Sequence, residues 1–566
     1  MDIIFRCIIE RISIKKALKI RLLAKCFTYD DFDYKSKMTF GKKLMIEIVK
    51  RGELPQFVKT TNRCLKFNAL SHKSKEHDYL LLMLKVEGVV DVVHTLEMGS
   101  CPYWNLFDYI KCTKNCGILT KHTHIHTLNV GFVEVSCKGM IDVKCLHLQH
   151  SVLTNFDELE KSKVLHTLVL NYSTVSNLSA LSNLHSLHIL KLVGTEVTDI
   201  TPLAGCTNLE VLHLQQTQVN NCNILGSLKK LHTLKLRHTE VSDASALTNV
   251  QNLDLSKTRV RDVTFAKNSN LHTLNLNTTD VSDVSSLINI HTLYLGDTQI
   301  DDAGVAILAK STILDTLVLE ATVITNVDAL GSCTSLRRLD LSHCKSITDV
   351  NALGMCENLQ ILFLNSTSLL EEGITELRKS TSLCSLNLGD TNMEFCDKIP
   401  LVKELTLRYT LIKEISAMTG VISLDLSELM IDDISSLYGC TIEDLNLSKM
   451  LHLSDITPLC ECKNLRTLCL NYTLVSDVKA LKTCEKLRKL SLTRCHQFKD
   501  ASGFESFPSL HTLYIDGTSV EDVSPLRRCE TLRTLHISEH LSALTKATLK
   551  DVKIVRNRLF TQRVGI

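Results

Sequence analysis

The sequence predicts an α/β-type repeat solenoid of about twenty coils, a horseshoe or arc with a parallel β-sheet on its concave face. Short extended or 3-10 segments are expected on the convex face, with a helical N-terminal cap. Three observations predict it. Leu-x-x-Leu-x-Leu recurs along most of the chain: Leu165-His-Thr-Leu168-Val-Leu170 returns 22 residues later as Leu187-His-Ile-Leu190-Lys-Leu192 and again, at the same step, from Leu209 and Leu231. Composition suits thin identical layers, with aromatics at 5%, one Trp and seven Pro in 566 residues. A turn pattern containing Thr-x-Val-x-Asp follows most of these motifs, as in Thr195-Glu-Val197-Thr-Asp199.

From the N-terminus, residues 1–90 form a basic segment read as a helical cap or extension. Ile4, Phe5, Ile8, Ile9 and Ile12 share one helical face, followed by Lys15, Lys16 and Lys19. This segment carries an excess of nine positive charges and the rest of the chain an excess of seven negative ones. Tyr79-Leu-Leu-Leu-Met-Leu84 leads into the array, which is placed at 91–540, with Leu96 in a degenerate first coil. Within each coil the two leucines of Leu-x-Leu point to one side of a strand. One coil cannot bury them, so stacking closes a shared core. The Thr is expected at a buried corner, where its hydroxyl bonds the turning backbone; Cys344 and Cys495 take that turn in longer coils. Asp302–Leu308 and Glu372–Leu377 have helical spacing and are read as short helices. Residues 541–566 are read as a C-terminal cap.

The units with Asp199-Ile-Thr-Pro-Leu203, Asp455-Ile-Thr-Pro-Leu459 and Asp522-Val-Ser-Pro-Leu526 resemble the 22-residue leucine-rich repeats of the internalin type. The Leu339-Asp-Leu-Ser-His-Cys344-Lys-Ser-Ile-Thr-Asp349 style of unit is similar to kinetoplastid leucine-rich-repeat proteins labelled adenylate cyclase regulatory proteins. The likeness covers roughly residues 125–540. It implies a regulatory binding protein. Some members of the second group carry a ring finger, but residues 1–125 lack the paired Cys-x-x-Cys motifs that its two zinc sites require.

Enzyme chemistry finds no support: no phosphate-binding loop or nucleophile elbow occurs, and Ser, His and Asp fall at repeat positions. No catalytic residue or cofactor is assigned. Cys101, Cys112, Cys116 and His122 are zinc-type ligands, yet their spacing fits no strong rule, and packing as small hydrophobes is the alternative. His126, His166, His188, His232, His272, His291 and His511 recur at one variable strand position. His166/His188 and His272/His291 are expected to be neighbours about 4.8 Å apart, as a pH-sensing column or as a by-product of duplication. Cys206, Cys333, Cys356, Cys440, Cys462, Cys484 and Cys529 precede successive strands and are expected as buried thiols.

Function is placed on the concave face, where residues flanking the core leucines meet solvent. Lys235, Arg237, Asn275, Tyr294, Arg338, Asp340, Phe363, Arg408 and Tyr514 are the candidate partner-binding residues, with Tyr294, Phe363 and Tyr514 as exposed anchors. Asp516 is placed on the same surface. Mixed charge there argues for a protein partner and against nucleic acid, which needs a consistently basic track. No stretch has the length and purity of a membrane span. The first ten residues make a poor export signal, so the 22 cysteines are expected reduced in the cytoplasm or nucleus. The function expected is a non-enzymatic recognition scaffold. The alternatives are a substrate adaptor for a ubiquitin ligase, or a cell-surface adhesin if an export signal lies upstream.

Overall fold

The computed structural model describes residues 65–69, 93–98, 127–130, 134–415, 418–538, 541, 549 and 552–556. Two compact units emerge, Met1–Val250 and Gln251–Ile566. Each is built on a parallel ladder of strands that are mostly three residues long. In the first unit Leu65–Ala69 pairs with Val93–Met98, and the ladder continues through Thr127–Val130, Cys145–His147, Thr167–Val169, Ile189–Lys191, Val211–His213 and Thr233–Lys235. In the second it runs unbroken from Asn252–Asp254 to Thr534–Ile537 and Lys553–Arg556. Leu65–Ala69 and Lys553–Arg556 lie in segments that the sequence assigns to the caps.

Register follows the repeat. Leu274 faces Leu293, Leu293 faces Leu317, and Leu317 faces Leu339, so the central strand leucines form one row. These leucines and their partners two residues on are almost wholly buried, Leu339 and Leu341 among them. A three-residue strand has little local stability, and stacking supplies it. Each buried Leu contributes roughly 1.5–3 kcal/mol before entropy.

The corner Thr does what the pattern implies. Thr195 Oγ1 donates to Leu192 O at 2.7 Å, and Thr217, Thr239, Thr258, Thr279 and Thr298 repeat the bond to the leucine three residues back. In the longer coils the Cys344 thiol reaches Leu319 O at 3.1 Å and Cys495 reaches Leu470 O at 2.9 Å, both in the preceding coil. Opposite the sheet, most coils close with a short 3-10 segment such as Thr201–Gly205 or Thr457–Glu461.

The two coils read as helical differ. Asp302–Leu308 is an α-helix whose N-cap Asp301 accepts the Gly304 N–H at 2.9 Å. Glu371–Lys379 is a 3-10 helix, a correction to the sequence expectation. It has no capping side chain, and Val350 N–H of the preceding coil takes the Gly373 carbonyl. That carbonyl is therefore shared with another coil, and the α-type ladder is not favoured.

Candidate binding face

Between the two core leucines of each coil stands one side chain on the open face of the sheet. In the second unit, register lines these up as Asp254, Asn275, Tyr294, Val318, Asp340, Phe363, Asn387, Thr406, Asp425, Asn446, Cys469, Ser491, Tyr514 and His536. Five of the nine candidate residues belong to this row: Asn275, Tyr294, Asp340, Phe363 and Tyr514. Arg338 stands at the start of its strand, and Arg408 is exposed just past the strand Glu404–Thr406. Lys235 and Arg237 belong to the first unit, Lys235 on the ladder and Arg237 exposed on the turn after it.

The row does two kinds of work. Its Asp and Asn side chains close their own coils: Asp254, Asp340 and Asp425 accept the N–H of Ser256, Ser342 and Ser427 at 2.9–3.0 Å. Asn275 accepts the Asn277 N–H at 3.0 Å, and Asn387 the Gly389 N–H at 2.9 Å. Asn275 and Asp340 thus spend an acceptor on the fold, which the sequence reading did not foresee. Asp516 is buried, 4% exposed, which corrects its placement on the solvent surface.

The aromatic anchors are half-buried instead of exposed, and neighbouring coils pack on two of them, Phe363 and Tyr514. The Arg338 guanidinium lies 4.7 Å from the Phe363 ring centroid. Tyr514 stacks on His536 with centroids 4.0 Å apart, and Lys489 stands 5.6 Å from the Tyr514 ring. Tyr294 is three strands from Phe363, about 14 Å at the usual strand spacing. Tyr514 is seven strands beyond Phe363, so it belongs to a separate patch.

One strand from Phe363, which pairs with Asn387, the second unit opens a depression of about 540 Å³, with His343, Ser366, Asn387, Asp390, Arg408 and Asp425 among its walls. Gly389 belongs to the same depression, and a side chain there would meet Arg408 Cγ at 3.0 Å, so the glycine lets Arg408 lie down. Tyr409 is half-exposed at the rim, 5.8 Å from the Arg408 guanidinium; its hydrogen bond to Glu428 raises the phenol above its ordinary value. Carboxylates, one guanidinium and amides converge here on a peptide-sized hollow. Sequence reasoning found Arg408 but missed Asp390 and Tyr409, which lie on turns outside the Leu-x-Leu frame.

The histidine pairs stack as expected, with centroids 4.2 Å apart for His166/His188 and 4.5 Å for His272/His291. Burial, then His188, lowers the His166 value. The expected cysteine column consists of buried free thiols; Cys206, Cys462 and Cys484 bond carbonyls of the preceding coil at 3.1–3.3 Å. Burial pushes Cys206 and Cys484 up to about 12. Cys101, Cys112, Cys116, His122 and His126 lie outside the described residues, as does the apolar face of Ile4–Ile12. Among the described residues no His/Cys/Asp/Glu group is arranged to hold a metal ion. No helix among them is long and apolar enough to cross a membrane.

No protein-family model matches the chain, and no curated protein matches it. Solved structures do. It is similar to the mouse RP105/MD-1 complex, with a TM-score of 0.53 and 18% identity over 74% of this chain and 80% of that one. It is similar to the TLR13–ssRNA13 complex, with a TM-score of 0.52 and 18% identity over 69% of this chain and 70% of that one. An internalin (inlF) from Listeria monocytogenes aligns with a TM-score of 0.47 and 20% identity, over 64% of this chain and 98% of that one. The likeness to the first two, joined to the in-register leucine rows, establishes the fold as that of the leucine-rich-repeat proteins.

Proposed function

We propose that the chain is a non-enzymatic recognition scaffold that holds a partner protein on the open strand face of Gln251–Ile566, and that this docking is regulatory. One observation carries the proposal: Phe363, with Arg338 packed on it, lies one strand from a hollow walled by Arg408, Asp390 and Asp425. Packed aromatics and arginines concentrate binding energy, and a mixed-charge hollow next to them supplies specificity. The charge pattern suits a protein or peptide and not a phosphate backbone, which would need cations alone. The resemblance of the Cys344 unit to kinetoplastid regulatory proteins supports the regulatory part, with a signalling enzyme as the docked partner. Cytoplasmic or nuclear residence is part of the same proposal, because free and mostly buried thiols among the described residues suit a reducing compartment.

The test is affinity capture with the full chain against a variant carrying Tyr294→Ala, Arg338→Ala and Phe363→Ala together. The variant should keep the wild-type circular dichroism and melting profile. It should lose its specific partner by a margin of about 2 kcal/mol or more. A variant that captures the same partner equally well overturns the proposal.

A further inference from the structure

The position six residues after the central strand leucine is exposed and apolar singly at Val323, 63% exposed, and as a run in one group of consecutive coils. Across the second unit it is mostly polar: Arg259, Asp280, Gln299, Lys345, Asn392 and His496. In four consecutive coils it is Leu411, Met430, Leu451 and Leu474, each 44% to 68% exposed. Their leucines, Leu405, Leu424, Leu445 and Leu468, face one another in register. The coil of Leu451 is one residue longer, so Leu474 N–H meets Leu453 O and Leu451 is offset from the other three. The four exposed side chains still form one apolar stripe across four coils, about 14 Å long. Tyr409 and Tyr472, 50% and 39% exposed, occupy the turn position two residues earlier in the first and last of these coils. Scattered apolar residues on a surface need no explanation, but a run at one repeat position does.

A row of exposed carboxylates follows each stripe residue by two to four positions: Glu414, Asp432, Asp433, Asp455 and Asp477. Asp433 and Asp455 are fixed by the N–H groups of Ser435 and Thr457. The cations close by are already engaged: Lys413 with Glu394 at 2.6 Å, Lys449 with Glu428 at 3.2 Å, and Lys479 more loosely with Asp477 at 4.0 Å. The turn backbone is engaged too, since the N–H groups of Tyr409, Glu428, Lys449 and Tyr472 all donate to the next coil. An added strand would find no free N–H on these four turn residues.

We propose that this stripe docks a basic amphipathic helix of a partner protein. A helix with apolar side chains at i, i+3, i+7 and i+10 presents four contacts over about 15 Å, the length of the stripe. Lysines or arginines along one flank then face the carboxylate row. The site adjoins the strand-face hollow at Tyr409, but none of the four stripe residues lines that hollow, so the two readings are tested separately.

The probe is a leucine–lysine peptide of about eighteen residues with leucines at that spacing, titrated against the full chain by fluorescence anisotropy. A second peptide has glutamate in place of lysine. The lysine peptide should bind, and the combined variant Leu411→Ser, Met430→Ser, Leu451→Ser, Leu474→Ser should weaken it at least about tenfold. Glu414→Gln with Asp432→Asn, which removes no bond to a backbone N–H, should weaken it severalfold and flatten its salt dependence. Arg338→Ala with Phe363→Ala should leave it unchanged, which separates this proposal from the strand-face function. The inference is overturned if the lysine peptide does not bind, if the serine variant binds equally well, or if the glutamate peptide binds as tightly. A concentration-dependent dimer that the serine variant abolishes would assign the stripe to a second copy of the chain instead.

Discussion

Two residues beyond each Leu-x-Leu pair the backbone turns through the left-handed region, at Tyr172, Gln216, His238, Lys257, Thr278 and onward to Arg494, with φ between 53° and 67° at the non-glycine members. Such a conformation costs an ordinary residue roughly 1–2 kcal/mol. It persists because the N–H at most of these positions donates to the next coil, as Tyr172 does to Val193 O at 2.7 Å. Gly194 and Gly517 adopt it without that penalty. Strand-row side chains have different constraints. Burial, then Lys191 and Lys235 on neighbouring strands, pushes His213 down to about 4. Unfolded, it returns to about 6.5, so the unfolded chain binds more proton between these values. The stability given by neutral His213 is whole above about pH 6.5 and drains as pH falls toward 4, by at most ~3 kcal/mol. Comparing wild type with His213→Asn by amide exchange at Val211–His213, the gap should narrow from pH 7 to pH 4.5. A gap independent of pH would refute this.

Among elements, the helix Asp302–Leu308 shows what a coil gains from a cap. Asp301 accepts the Gly304 N–H, while Asp302 accepts the Thr325 and Asn326 N–H groups of the next coil at 2.7 and 3.0 Å. One carboxylate starts the helix and the other ties it to its neighbour. Asp301→Ala should cost about 1 kcal/mol, read as faster amide exchange in 302–308, with the sheet unaffected. Protection equal to wild type would show that packing alone holds the helix. The more usual 3-10 segments rely on the Asp of the repeat. Asp199, Asp455 and Asp522 each accept the N–H two residues on at 2.8 Å, and with the matching hydroxyl this lowers the acid below its ordinary value. The repeat displays this Asp plainly, yet its role appears only once the turn is folded.

At the scale of the whole molecule, stability is a sum over coils and nearest-neighbour contacts, because each coil touches mainly the ones beside it. A charge in the core should do local damage. Leu341 is fully buried, and Leu341→Asp should unfold its own coil and the adjacent ones. Amide protection should be lost around Arg338–Asp340 and kept at Thr467–Cys469. Cooperative loss across the second unit would contradict this picture. The fold was largely legible because a period of about 22 residues repeats the same packing problem until one answer remains. The site was legible only in part. The strand row could be counted off from Leu-x-Leu, which places Phe363 on the open face and Arg338 at the start of a strand. Counting could not reveal that Asn275 and Asp340 close their own turns, that Arg338 covers Phe363, or that Asp516 is buried.

Sequence alone determined the coil, its leucine spine, the corner hydroxyls and the parallel stacking of strands. These follow from side-chain period and from the need of every buried backbone group for a partner, both of which are local and repeated. Tertiary structure alone decided which coil closes as an α-helix and which as 3-10, and how far the aromatic anchors are covered. It also decided that Leu411, Met430, Leu451 and Leu474 form one stripe beside a row of carboxylates. Those outcomes depend on what the next coil places 4–5 Å away, and no single repeat contains that information.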